Sequence, residues 1–351
     1  MNYLDTLNPF IKDYFLILSS DFPEFLIDYI KTPRMQKQQG VSCSCGEYYT
    51  KMNYCTFWYS SLEHSIGVAL VVWHFTHDKK QTLAGLFHDI ATPAFKHCID
   101  FMNKDYERQE STEDLTKTLI MESKEIMELL KRDGIRVDEV ADYHMYPIAD
   151  NDSPMLSADR FEYTLSNGLG QCKKIWSLDD VKEIYNNVVI INKDDGTPEM
   201  AFKDLKIAEK FVLGVGELSL LYMRDERRFG MQFLADIMKR MSELGIISVS
   251  DLYELSEAEI IDKIKNCNEC NIKECFKIWQ EGTSVMVSDE PVLDKYAVNI
   301  KAKRRYSDPL VITSDGYERT SVLSKVAREA LEKCQNYSFD RYLYMDFNFK
   351  D

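Results

Sequence analysis

Glycine and proline are scarce in this 351-residue chain, at 14 and 9 positions. A turn-rich β sandwich needs more of both, so long helices are favoured. A basic excess is also lacking: Lys and Arg number 43 against 58 Asp and Glu, a net charge of -15. Such a surface repels polyanions and argues against general DNA or RNA binding. A small anionic ligand stays open, because a metal or a few Arg and Lys invert a local field. Long apolar runs are missing; the most apolar stretch, Ile66 to Phe75, is too short to span a bilayer. The start, Met1-Asn2-Tyr3-Leu4-Asp5, has no basic n-region, so no secretory signal and a cytoplasmic location are expected. Nine cysteines in that setting suggest reduced thiols rather than a disulfide framework.

What is present suits a folded core. Hydrophobic residues make up 45% and aromatics 12%, which excludes wholesale disorder. The length exceeds a usual single core and predicts one large domain with an appended piece. Short helices broken at Pro9, Pro23 and Pro33 are expected first, then an irregular stretch over 36–60. From Ser60 to about Leu244 the pattern is mostly helical, with Ile66, Ala69, Leu70 and Trp73 on one face. Met121 to Arg132 and Leu205 to Met241 read as helical too, and Asn192 to Pro198 as a loop. Ser256 to Glu259 is a capping box opening a helix that runs to about Lys265. Tyr296 to Ile312 reads as one or two strands and Ser321 to Cys334 as a last helix. The expected organisation is a helical domain over 1–244 and a smaller mixed α/β region over 245–351.

Six histidines occur: His64, His74, His77, His88, His97 and His144. His88 is followed at once by Asp89, and such a pair can aim a nitrogen and an oxygen at one metal. A His from another helix and a later Asp would complete a mixed N/O site. That donor set suits one divalent ion: Mn, Fe, Zn, Ni or Co, and Mg less well.

Leu62-Glu-His-Ser-Ile-Gly-Val68, Leu86-Phe-His-Asp-Ile90, Ala94-Phe-Lys-His97 and Leu156-Ser-Ala-Asp-Arg-Phe-Glu-Tyr163 follow one another in that order. This series resembles the HD-domain phosphohydrolase superfamily, in particular the deoxynucleoside triphosphate triphosphohydrolase branch that includes the SAM- and HD-domain proteins. The resemblance covers roughly residues 32 to 240. It implies an all-helical HD core in which His64, His88, Asp89 and Asp159 hold the metal. It implies a nucleotide substrate attacked at the α-phosphorus, with tripolyphosphate released, and assembly as a homo-oligomer. It further places Gln38 and Tyr163 near the sugar, Arg160 at phosphate, Asn167 where an Asp holds the 3′-hydroxyl, and Tyr222 as a second pocket tyrosine. Tyr163 and Tyr222 could equally be core aromatics.

The departures from that pattern are specific. Ser61 stands where the family has Arg, and Thr92 where it has a catalytic His. The later His-Glu pair has no His; the nearest segment is Tyr106-Glu-Arg-Gln-Glu-Ser111. The phosphate-clamping Arg falls on Gly214. Ser and Thr cannot replace Arg and His without losing charge and donors. Glu107 or Glu110 would then serve as acid or base, or simply form a solvated face. His97 would line the pocket or cap a loop. His144 would replace the missing acid, add a ligand, or be structural. A non-catalytic nucleotide sensor, or a phosphatase of another phosphoester, is the competing function. A dinuclear-iron oxygenase would need more His ligands than the four. Cys267, Cys270 and Cys275 lack a fourth ligand for zinc. The compact basic run Lys301-x-Lys303-Arg304-Arg305 would be a charged edge strand, or would meet phosphate at an allosteric site or an acidic neighbouring subunit.

Overall fold

A computed structural model describes residues 3–52, 55–109, 115–170 and 173–349. Prolines at the first helical position start two of the early helices, α1 (Pro9–Leu18) and, after α2 (Phe25–Ile30), α3 (Pro33–Lys37). The described residues from there up to 60 are irregular, with 3-10 turns at Gln38–Gly40 and Glu47–Tyr49 and a bridge between Ser42 and Ser60. Helix α4 (Ser61–Thr76) is apolar nearly all round and accordingly central. It packs against α5 (Lys79–Phe87), and α6 (Cys98–Met102) follows a tight turn. The expected helix over 121–132 is two, α7 (Thr116–Glu122) and α8 (Lys124–Arg132). Ser123 ends the first and caps the second by accepting from the Ile126 N–H.

Helix α9 (Ala158–Gly168) crosses α4, and α10 (Leu178–Asn186) leads into a hairpin within the helical region. Strands β1 (Val188–Asn192) and β2 (Pro198–Phe202) flank the expected loop, which turns at Gly196 with φ +81°. Two helices occupy 205–241, α11 (Leu205–Tyr222) and α12 (Asp225–Glu243). After α13 (Val249–Glu254), the capping box opens α14 (Glu257–Asn266) as read, with Glu259 accepting from the Ser256 N–H at 2.8 Å. Helix α15 (Cys270–Glu281) is followed by β3 (Met286–Ser288), β4 (Ala297–Val298), β5 (Leu310–Thr313) and β6 (Gly316–Arg319). The last elements are α16 (Thr320–Leu323), α17 (Lys325–Gln335) and β7 (Tyr342–Tyr344). The stretch 299–309 is therefore not a strand.

The packing crosses residue 245. Strand β2 pairs in parallel with β5, so the hairpin and the late strands share one sheet in the order β1-β2-β5-β6. A second apolar cluster joins Phe95, Phe101, Phe229, Phe233, Ile260, Trp279 and Phe347. No helix among the described residues is long and apolar enough to cross a membrane.

Glu257, wholly buried at the start of α14, ties these regions: its Oε1 accepts from the N–H groups of Ser42 (3.0 Å) and Phe95 (3.2 Å). Burial pushes its carboxyl up to about 8. The fold then holds a proton that the unfolded chain releases above the ordinary carboxyl range. Stability should fall as pH rises from about 5 to 8 and level off above, by roughly 2–4 kcal/mol in all. Glu257→Gln should flatten that slope in urea unfolding measured from pH 5 to 8.5. An unchanged slope would mean that the carboxyl is ionised in the fold.

Candidate metal centre

Three local structures bring the donors together. His64 lies in the first turns of α4, whose start is fixed by a capping box between Ser60 and Glu63. His88 and Asp89 follow the end of α5, where Thr92 N–H closes a turn on Asp89 O at 3.0 Å. Asp159 sits in the first turn of α9, whose N-cap Ser157 accepts from the Arg160 N–H.

His64 Nε2 and His88 Nε2 lie 3.2 Å apart. Asp159 Oδ1 is 3.1 Å from the first and 3.7 Å from the second. Asp89 approaches them at 3.9 and 3.8 Å. Donors bound at about 2.0–2.2 Å to one ion are held at such mutual spacings. His88 donates its Nδ1–H to Gly85 O at 2.8 Å, and His64 Nδ1 is bonded to the Glu162 carboxylate. Both Nε2 lone pairs are thereby turned inward, as metal-ligating imidazoles require. His64, His88 and Asp89 form a group able to hold a metal ion, and Asp159 stands against it.

Electrostatics agree with that reading. Burial opposes the charge on His64, yet Glu162 and Asp159 raise its pKa to about 9. A proton and a metal ion are thus alternative occupants of a site with surplus negative charge. Burial also opposes ionisation of Asp89, but Lys96, His88 and His64 outweigh it and hold the carboxyl well below its ordinary range. Lys96 Nζ is 2.5 Å from Asp89 Oδ2 and 3.4 Å from Ser61 Oγ. A cation therefore reaches the position of Ser61 from the turn at Phe95-Lys96, where both residues are left-handed, with φ +62° and +46°.

The donors open into a cavity of about 530 Å³. His97, Tyr163, Asn167, Tyr222 and His144 all line it. His97 donates Nδ1–H to the buried Asp100 at 2.9 Å. Burial and then Arg305 hold its pKa below that of an ordinary imidazole. His144 Nδ1 is 2.7 Å from Asp150 Oδ2, and its side chain is half-exposed. Asn167 donates to Tyr163 O at 2.6 Å, and Arg227 stacks on the Tyr222 ring at 5.0 Å.

Other expected site residues fall elsewhere. Gln38 is buried away from the cavity lining, its amide donating to Ile90 O (2.9 Å) and Thr92 O (3.2 Å); it pins the turn after Asp89. Arg160 lines the cavity but spends its guanidinium on Met155 O (2.9 Å), Asn151 and Asp150 (3.3 Å). Glu107 is exposed and 3.5 Å from Lys301, so it does not face the cavity; its neighbour Gln109 does. Glu110 lies outside the described residues. Gly214 does not face the cavity either: a Cβ there would meet the Trp176 ring at 2.1 Å. Cys267 and Cys275 are buried and donate to Ile264 O and Asn348 O, while Cys270 is exposed. The run 303–305 is no edge strand, for it lines the same cavity as the donors.

Sequence reasoning missed Glu162, Lys96, Gln109, Arg227 and the cavity role of the basic run. Glu162 carried a signal: it is one helical turn after Asp159 and so shares its face. Arg227 carried none.

No family model matches the chain. It is 23% identical over 306 residues to the uncharacterized protein YdhJ of Bacillus subtilis, covering 87% of this chain and 89% of that protein. It is 24% identical over 164 residues to the metal-dependent phosphohydrolase cns2 of Cordyceps militaris, covering 46% of this chain and 45% of that protein. Among solved structures, a hypothetical protein from Aquifex aeolicus shares the fold with a TM-score of 0.63 at 15% identity, over 93% of each chain. A phosphohydrolase from Bacteroides thetaiotaomicron does so with a TM-score of 0.61 at 12% identity, over 92% of this chain and 96% of its own.

Glu162→Gln keeps the side chain's shape and removes the charge behind His64. Calorimetric titration with Mn²⁺ should show affinity lower by roughly 10–100-fold with the helical content unchanged. Unaltered affinity would reduce Glu162 to a packing role. The chain is thus similar to a metal-dependent phosphohydrolase and carries, in His64, His88 and Asp89, a cluster that could hold a metal ion, which is consistent with a metal-dependent hydrolase of HD type.

Proposed function

We propose that the protein is a metal-dependent phosphohydrolase of nucleotides, with deoxynucleoside triphosphates as the first substrates to test. The observation that carries this is one cavity that joins His64, His88, Asp89 and Asp159 to the cations Lys96, Arg227, Lys303, Arg304 and Arg305, in a chain of net charge -15. A divalent ion on the four donors would polarise a phosphoryl oxygen and lower the pKa of water. The cations would bind the remaining phosphate oxygens, and Lys96 stands against Asp89. His97, its Nδ1–H given to Asp100, turns Nε2 to the cavity, where it accepts from Arg305 at 3.0 Å; it would take a proton there once Arg305 moves to a phosphate. His144 with Asp150 is a second His–Asp pair lining the cavity. Tyr163, Asn167 and Tyr222 would hold the nucleoside. Ser61 and Thr92 favour a second reading, a nucleotide sensor without turnover, because both lack the charged or basic group of the resembled branch.

A product assay separates these. The protein is incubated with each dNTP, NTP and nucleoside monophosphate, with Mn²⁺ or Mg²⁺, beside Asp159→Ala. Nucleoside plus tripolyphosphate is expected, with no activity in Asp159→Ala and kcat lower by roughly 10²–10⁴-fold in His97→Gln. Orthophosphate from a monophosphate would reassign the substrate. Binding without any product would leave the sensor.

A further inference from the structure

Four arginines line the cavity. Arg160 is 3.3 Å from Asp150 and Arg227 is 3.0 Å from Glu47. Arg304 and Arg305 pair with no carboxylate among the described residues. Arg304 donates to Tyr337 O at 2.9 Å, lies 4.7 Å from the Phe339 ring, and leaves its buried Nε without a partner. Arg305 donates through Nη2 to two neutral acceptors, His97 Nε2 at 3.0 Å and Gln109 Oε1 at 2.6 Å. Partly buried charge without a counter-ion is costly, and the cavity is where a counter-ion can enter.

The segment that carries them is tied at both ends. Arg228, fully buried, holds Ile300 O and also bonds Met223 O (3.1 Å) and Asp225 (2.6 Å). At the other end the Asp308 N–H donates to Pro154 O at 2.8 Å. Between these anchors Lys303, Arg304 and Arg305 line the same cavity as the metal donors.

We propose that residues 303–305 form a second anion subsite, which grips a further phosphate group of a ligand whose first phosphoryl lies at the metal donors. The ligand class is a polyphosphate ester such as a nucleoside di- or triphosphate; the placement of the first phosphoryl rests on the phosphohydrolase reading. A phosphate oxygen is a stronger acceptor for a guanidinium than a neutral imidazole or amide. Arg305 therefore exchanges His97 and Gln109 for phosphate. That exchange leaves His97 Nε2 uncovered only when the subsite is filled.

The test is calorimetric binding of inorganic tripolyphosphate and of orthophosphate to the full chain loaded with Mn²⁺. Wild type should bind tripolyphosphate more tightly than orthophosphate. Arg305→Gln should weaken tripolyphosphate by about tenfold or more and orthophosphate by less than about twofold. Lys303→Gln, which leaves the Arg305 contact to His97 in place, should act in the same direction, and Arg305→Lys should restore part of the loss. His97→Ala should bind tripolyphosphate no more weakly than wild type, since a competing acceptor is gone. Equal losses for both probes, no loss in either strap variant, or weaker binding in His97→Ala would overturn the subsite. Selective loss in a protein that turns over no substrate would keep the subsite and remove the phosphohydrolase reading.

Discussion

The site depends first on a carboxylate buried behind an imidazole. Glu162 has no solvent exposure, yet it accepts from His64, from Tyr59 OH at 2.6 Å and from Tyr14 OH at 3.0 Å. A buried carboxylate is tolerable only with such partners. Each partner comes from a different part of the chain: α1, the segment before α4, and α4 itself. The side chain passes so close to α4 that a Cβ on Gly67 would lie 2.7 Å from its Oε1. The same contact that fixes the His64 tautomer thus fixes how α9 crosses α4, and α9 is what delivers Asp159. Donor geometry and helix packing are one constraint.

The second layer of order is charge placement. An acidic chain can serve an anionic ligand only if its cations are concentrated and its surface acids kept away. The cavity does this with groups drawn from far apart: Lys96 from the turn after α5, Arg227 from α12, and Lys303 to Arg305 from an extended segment near the end. Glu47 and Asp150 neutralise Arg227 and Arg160, and so set the walls of the cavity, while the strap arginines keep their charge available. The cavity thus sets six cations beside four aspartates in a molecule of net charge -15.

Legibility followed sequence distance. The convergence of His64, His88 and Asp89, with Asp159 against them, was readable because each lies in a short local pattern, a helix start or a His-Asp pair, whose side-chain directions are set within a turn or two. His97 reaches the same cavity from a similarly local pattern. The cations were not: the alternating apolar and charged residues over 296–312 do contain two strands, β4 and β5, but the basic run falls in the irregular strap between them, which is tied at Ile300 and Asp308. Gln38 was assigned to substrate by position in a motif, yet its amide meets two backbone carbonyls left over by the turn at 90–92, a demand visible only in three dimensions. Glu107 missed the cavity by two residues, since an irregular segment with Gln109 at φ +59° has no period from which to choose a face. Helix boundaries fared better where serine caps marked them, as at Ser256, and worse where a serine broke a continuous apolar pattern, as at Ser123.

The late third of the chain is part of the site rather than a passenger on it. Glu257 holds the Phe95 N–H, and Phe95 is the first of the two left-handed residues that turn Lys96 toward Asp89. Ala94 N–H is held by Leu252 O at 2.8 Å, one residue earlier. Two consecutive left-handed non-glycine residues are costly and persist only where surroundings over-determine them. Here the surroundings are α13 and α14, so the orientation of a cation beside the metal donors is set by helices some 160 residues away. The strap adds Lys303, Arg304 and Arg305 to the cavity lining from the same late part of the chain. Packing across residue 245 is in that sense a requirement of the cavity: without it His64, His88, Asp89 and Asp159 would keep their local elements, but Lys96 and the strap cations would have no fixed place beside them.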